Sequence, residues 1–230
     1  MNLSFFKKHP LLLLTMIFFG LFFSSTVVSA RLKLYLTHRE SGSIKIVNSP
    51  AININKQQIP VDNLLKLIQQ RLIIAHDVAR WKWNNQRPIE DLKREQELLL
   101  KVRQQATSQN LDPDTVAAFF QAQIEAGKMI QKADFQKWQQ QGIKSFSNVP
   151  DLTQTIRPSL DKLNVEFLLA LTELTPVLGC TEIRELIQSR SQVIIQGDGI
   201  DKQVQNLSIS PLLQLKSDSC KVVSKVEANV

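Results

Sequence analysis

Apolar residues are laid out along this chain in three different ways, and each predicts a different structure. Between Leu11 and Phe23 they run almost unbroken behind Lys7 and Lys8, and Val28-Ser29-Ala30 follows. A charged start, an apolar centre and a small-residue site, in that order, predict a signal peptide over residues 1–30, cleaved before Arg31. Leu11 to Ala30 barely reaches membrane-spanning length, and Ser24-Ser25-Thr26 with the Val-Ser-Ala site favours cleavage over an uncleaved anchor. Residues 31–60 alternate weakly: Leu32, Leu34 and Leu36, then a turn at Glu40-Ser41-Gly42-Ser43, then Ile44 and Ile46. This predicts a short hairpin or a loose N-terminal arm. From Val61 onward the spacing turns helical.

The first helix is predicted from about Val61 to Trp83. It stops before Asn84-Asn85-Gln86-Arg87-Pro88, because the residue preceding proline is pushed out of the helical region. A second runs from about Ile89 to Gln109. Asp112 reads as an N-cap with Pro113 at the first helical position, opening a third helix to about Gln140, which Gly142 stops. Asp151 and Gln154 resemble a capping box for a fourth, kinked or restarted at Pro158, striped by Leu160, Phe167, Leu168, Leu171 and Leu174, and ended by Pro176. Two shorter helices follow, around Cys180–Gln192 and Asp201–Cys220, the second interrupted at Pro211. The pattern predicts an all-α helical bundle of about six helices, with residues 61–145 as its core and 146–230 packed on it in the same domain.

Composition changes this picture little. The chain of 230 residues carries a net charge of +7, and loss of Lys7 and Lys8 with the signal takes it to +5. Without a basic run, that is no footprint for nucleic acid. Cys180 and Cys220 are the only cysteines. Both lie in the exported part, where an oxidising compartment lets them pair, so a disulfide is predicted between them. They have no C-x-x-C spacing, and His9, His38 and His76 form no metal-ligand cluster, so no metal is expected.

The candidate chemistry lies where polar residues interrupt apolar stripes. On the first helix Leu64, Leu67, Ile68, Ala75 and Val78 lie within about 60° of Arg71, and Lys82, eleven residues on, points the same way. Two cations on an apolar face are costly to bury unless anions meet them, either protein carboxylates or a ligand; snorkelling is the other resolution. Asp91, Arg94 and Glu95 cluster within one turn of the second helix, a pattern that alone also fits a solvated face. On the third, Gln131 falls in line with Phe120, Ile124, Gly127, Phe135 and Trp138. A mid-helix glycine costs about 1 kcal/mol relative to alanine, so Gly127 signals close packing or room for a ligand. These groups offer cations and directional donors without a Ser-His-Asp arrangement, metal site or cysteine nucleophile. Such a pocket suits a small dianion, bound passively or converted by positioning and electrostatics.

Arg71, Lys82, Asp91, Arg94, Glu95 and Gln131 resemble the active-site pattern of the all-helical AroQ-type chorismate mutases. Lys82-Trp83, Pro88 to Asp91, Leu111 to Asp114 and the pair Cys180 and Cys220 resemble its secreted gamma subclass. The resemblance implies a chorismate mutase core over residues 61–145 that rearranges chorismate to prephenate by an intramolecular Claisen shift. No cofactor, covalent intermediate or general acid–base is implied. Arg71 would pair with a substrate carboxylate, Lys82 and Gln131 would donate to the ether oxygen, and Glu95 would accept from the ring hydroxyl. Asp91 and Arg94 would line that side. Compact cytosolic relatives borrow an arginine from the partner subunit, whereas secreted members take theirs from the C-terminal half of the same chain; Arg157 is the matching position.

Two departures stand out. Gly127 occupies a position where relatives carry Ser or Thr, and Gln131 replaces a glutamate found in some secreted relatives. A glutamine donates at any ordinary pH, so activity is not expected to fall above neutrality through this residue. The resemblance further implies a homodimer, and the signal pattern implies a periplasmic or secreted location with no stable membrane insertion after cleavage. Two other functions fit the same residues: an isochorismate pyruvate lyase, and a non-catalytic exported dianion-binding protein.

Overall fold

The computed structural model describes residues 52–215 together with Cys220. The predicted signal peptide and residues 31–51 of the predicted arm lie outside the described residues. Within them the chain forms six α-helices and a single π-helical turn. The helices are α1 (Ile54–Asn84), α2 (Leu92–Ser108), α3 (Pro113–Gln140), α4 (Arg157–Leu174), α5 (Thr181–Ile194) and α6 (Lys202–Gln214), with the π turn (Leu152–Ile156) leading directly into α4.

Helix ends follow local chemistry. The Asn53 side chain accepts from the Lys56 N–H and opens α1 seven residues before Val61, with Pro60 inside the helix. Asp91 caps α2 by accepting from Arg94 N–H, so Ile89 and Glu90, expected to be helical, form part of the connection instead. Asp112 caps α3 as its position before Pro113 predicts, and Gly142, at φ +67°, follows its end in the left-handed region that favours glycine. Asp151 accepts from the N–H groups of Thr153 and Gln154. The turn it caps is π-helical, and α4 starts at Arg157 with Pro158 in its first turn. Pro211 lies within α6, which continues to Gln214 rather than breaking.

The long helices α1 and α3 pack on each other; α3 also meets α2 and α6, and α1 also meets α4 and α5. Their shared core includes Leu64, Leu65, Ile68 and Leu72 of α1, all fully buried, each contributing about 1.5–3 kcal/mol of apolar burial. Phe119, Phe120 and Phe167 pack edge to face at 5.2–5.8 Å between ring centroids and join α3 to α4. At the far end of the α1–α3 pair, Trp83, Phe135, Trp138 and Phe146 form a second aromatic cluster. Asn84 bonds Phe146 through both its amide groups, at 2.8 and 2.9 Å, and Trp83 Nε1 donates to Ile143 O at 3.2 Å. This clasp fixes the connection that leads from α3 to the π turn and α4. The disulfide between Cys180 and Cys220 joins the start of α5 to the chain beyond α6. Among the described residues no helix is long and apolar enough to cross a membrane.

Candidate active site

The apolar stripe of α1 carries Arg71 and Lys82 into the bundle, where each is only 8% exposed. They open on a cleft of about 130 Å³ between α1, α2, α3 and the π turn with the start of α4. All seven predicted contact residues, Arg71, Lys82, Asp91, Arg94, Glu95, Gln131 and Arg157, line this one cleft of one chain. Sequence reasoning missed Lys128, Asp161 and Asn164, which line it too. A signal for Asn164 was present: it falls one turn from Leu160 and from Leu168 in the apolar stripe of α4, as Gln131 does on α3.

The charged groups are each held by a hydrogen bond to a protein partner. Arg71 Nη1 donates to Asn164 Oδ1 at 3.1 Å, a buried bond. Asn164 Nδ2 reaches Asp161 Oδ1 at 3.4 Å, and Arg94 Nη2 donates to the same oxygen at 2.8 Å. Arg157 Nη2 donates to Asp91 Oδ2 at 3.2 Å, so the residue that caps α2 also anchors the start of α4. Lys82 Nζ donates to the carbonyl of Ile89. Lys128 Nζ bridges Glu95 Oε2 at 3.1 Å and Glu125 Oε1 at 2.8 Å.

The lining holds five cations, Arg71, Lys82, Arg94, Lys128 and Arg157, against the carboxylates of Asp91, Glu95 and Asp161; Glu125, the second partner of Lys128, offsets one of the two remaining charges and leaves the cleft cationic. Burial pushes the Arg71 pKa down to about 10, with Asp161 opposing and Arg94 adding to the shift, so the guanidinium stays charged at neutral pH. Burial also lowers Lys82, partly offset by Asp91, Glu95 and Glu90. Gln131 is 7% exposed, and its Oε1 has no hydrogen-bond partner among the described residues.

Gly127 lies between Gln123 and Gln131 on the stripe of α3 that faces the cleft. A Cβ there would meet only Ala75 Cβ, at an ordinary 3.8 Å. Of the two explanations for a mid-helix glycine, open space in the cleft therefore fits and close helix packing does not.

Residues 62–132 match the chorismate mutase type II family, and this is the stretch that brings six of the seven predicted contacts together. The chain is also 30% identical to the crystal structure of chorismate mutase from Burkholderia thailandensis, at a TM-score of 0.61, covering 66% of this chain and 98% of that one. The chain belongs to the type II chorismate mutase family. Two secreted chorismate mutases are further relatives of this family member. That of Mycobacterium tuberculosis is 37% identical over 101 residues, 44% of this chain. That of Mycolicibacterium smegmatis is 29% identical over 142 residues, 62% of this chain. The matched stretch spans half the length of the Mycobacterium tuberculosis protein and 78% of the Mycolicibacterium smegmatis one. The family match ends at residue 132, ahead of Arg157, Asp161 and Asn164.

Proposed function

We propose that this chain is an exported chorismate mutase, converting chorismate to prephenate in the cleft between α1, α2, α3 and α4. The observation that carries the reading is the convergence of Arg71, Lys82, Arg94, Gln131 and Arg157 on a cleft whose cations outnumber its carboxylates. That surplus complements a substrate with two carboxylates.

In the rearrangement the bond between the ring and the ether oxygen breaks as the enolpyruvyl methylene bonds to the ring carbon bearing the carboxylate, and no atom enters or leaves. Arg71, fixed by Asn164, pairs with a substrate carboxylate and holds the enolpyruvyl arm folded over the ring, which removes most of the entropic cost of reaching the reactive geometry. Arg157 and Arg94, held by Asp91 and Asp161, position the second carboxylate and that side of the ring. Lys82 and the Gln131 amide donate to the ether oxygen as it gains negative charge, so their stabilisation is greatest in the transition state. Glu95 accepts from the ring hydroxyl. The seven proposed contacts all line one cleft of a single chain, so a homodimer would support stability rather than assemble the site.

Export through residues 1–30 to the periplasm or beyond is supported by the signal pattern, the disulfide and the secreted relatives. Supplying the purified mature chain with chorismate and isochorismate in separate reactions, with products read by NMR, tests the function. Prephenate from chorismate is expected. Salicylate and pyruvate from isochorismate, with chorismate left unchanged, would indicate a lyase, and binding of both without product would indicate a passive carrier.

A further inference from the structure

Lys128 belongs to none of the roles above, yet its ammonium sits against the cleft with its side chain 11% exposed. It is held from α3 through a relay: Gln121 Nε2 donates to Glu125 Oε1 at 2.8 Å, and Lys128 Nζ pairs with that same oxygen at 2.8 Å and with Glu95 Oε2 at 3.1 Å. On its other side, among the described residues, Glu95 is tied only by the Asp91 N–H, which donates to Oε1 over a long 3.3 Å at the N-cap of α2. A glutamate has three side-chain torsions, and one long bond to its own helix does not fix them. The contact from the facing helix does.

We propose that Lys128 is a positioning residue that clamps the Glu95 carboxylate from across the cleft, turning its free acceptor capacity toward the ring hydroxyl of the substrate. The proposal rests on the chorismate mutase reading of the site. Burial of Lys128 works against its charge, but the hydrogen bonds it donates to Glu125 and Glu95 outweigh this and its pKa is raised, so the clamp is charged throughout the neutral range. Glu125 is 42% exposed and the Glu95 side chain 16%, so loss of the ammonium would expose the more buried carboxylate to an uncompensated like charge and free it to turn away.

The test is a double-mutant cycle in the mature chain, with kcat and KM for chorismate measured for Lys128→Met, Glu95→Gln, the double variant and Lys128→Arg, each checked for a cooperative thermal melt. If Lys128 acts through Glu95, Lys128→Met lowers kcat/KM by about tenfold or more, and the double variant is no worse than Glu95→Gln alone. Lys128→Arg, which keeps the charge, recovers most of the loss. Should Lys128→Met fail to fold, Lys128→Gln enters the same cycle. Losses that multiply in the double variant would mean that Lys128 acts on the substrate independently, and unchanged kcat/KM in Lys128→Met would mean that it has no role; either overturns the proposal while wild-type turnover stands. Absence of prephenate from the wild type overturns the functional reading and the proposal with it.

Discussion

Replacing Gln131 by glutamate keeps the shape of the side chain and removes its N–H donors, which isolates what the amide contributes. Gln131 is 7% exposed in the cleft, so a carboxyl there reaches the ether oxygen as a donor only when protonated. An unperturbed glutamate has a pKa near 4.3, which leaves about one carboxyl in 500 protonated at pH 7. Burial in the cleft raises that pKa, while the surplus of cations in the lining lowers it; a net rise of two units would leave about one in six protonated. Gln131→Glu is therefore expected to lose between about sixfold and about 500-fold in kcat/KM at pH 7, recovering toward the wild-type value as the pH falls to about 5 or below. Following the ultraviolet absorbance of chorismate from pH 4.5 to 8.5 measures this directly. A variant profile parallel to that of the wild type would show that the Gln131 amide does not donate in the transition state.

Three further outcomes are expected. The Cys180–Cys220 bond closes a sequence separation of 40 residues, worth about 4 kcal/mol in the chain-entropy model. Paired Cys180→Ser and Cys220→Ser substitutions should thus shift the urea midpoint downward, and an unchanged midpoint would contradict this. His76 Nδ1 contacts Asp134 Oδ2 at 2.6 Å and its Nε2 contacts the Asp198 carbonyl at 3.0 Å, tying α1 and α3 to the α5–α6 connection. The Asp134 bond raises the His76 pKa, so its stabilisation is complete below the unfolded value near 6.5 and fades as pH rises through the folded one; His76→Gln should lower Tm more at pH 5.5 than at pH 8.5, and an equal loss at both would contradict the linkage. Because all seven predicted contacts line one cleft of a single chain, activity per chain should hold constant on dilution through any dimer dissociation, and a decline that tracks dissociation would assign the partner a share of the site.

The bounds of α3 were legible because Asp112-Pro113 and Gly142 mark them by mechanisms confined to a few residues, a cap with a preset φ and a left-handed turn. The start of α1 was not. The apolar spacing turns helical only at Val61, whereas the cap at Asn53 starts the helix a full turn and more before it and carries it through Pro60. Ile89 to Asp91 read as helix by their spacing, yet the Ile89 carbonyl accepts from Lys82 and the Asp91 carboxylate caps α2, tertiary and capping demands that periodicity does not register. Arg71, Lys82 and Gln131 could be picked out because each breaks an apolar stripe. Lys128 and Asp161 could not: charged residues on long helices are ordinarily solvated, and only the fold shows α3 bringing Lys128 against Glu95 of α2 and the start of α4 bringing Asp161 against Arg94.

The central claim, electrostatic catalysis in this cleft, is tested most directly at Lys82. It is buried at 8% exposure, held by the Ile89 carbonyl, and assigned to the charge that develops on the ether oxygen. Turnover of chorismate by Lys82→Ala, measured beside the wild type with both shown to melt cooperatively, should fall in kcat by about 10²-fold or more, equivalent to about 3 kcal/mol of barrier. Wild-type kcat in a folded Lys82→Ala protein would contradict the assignment of the site.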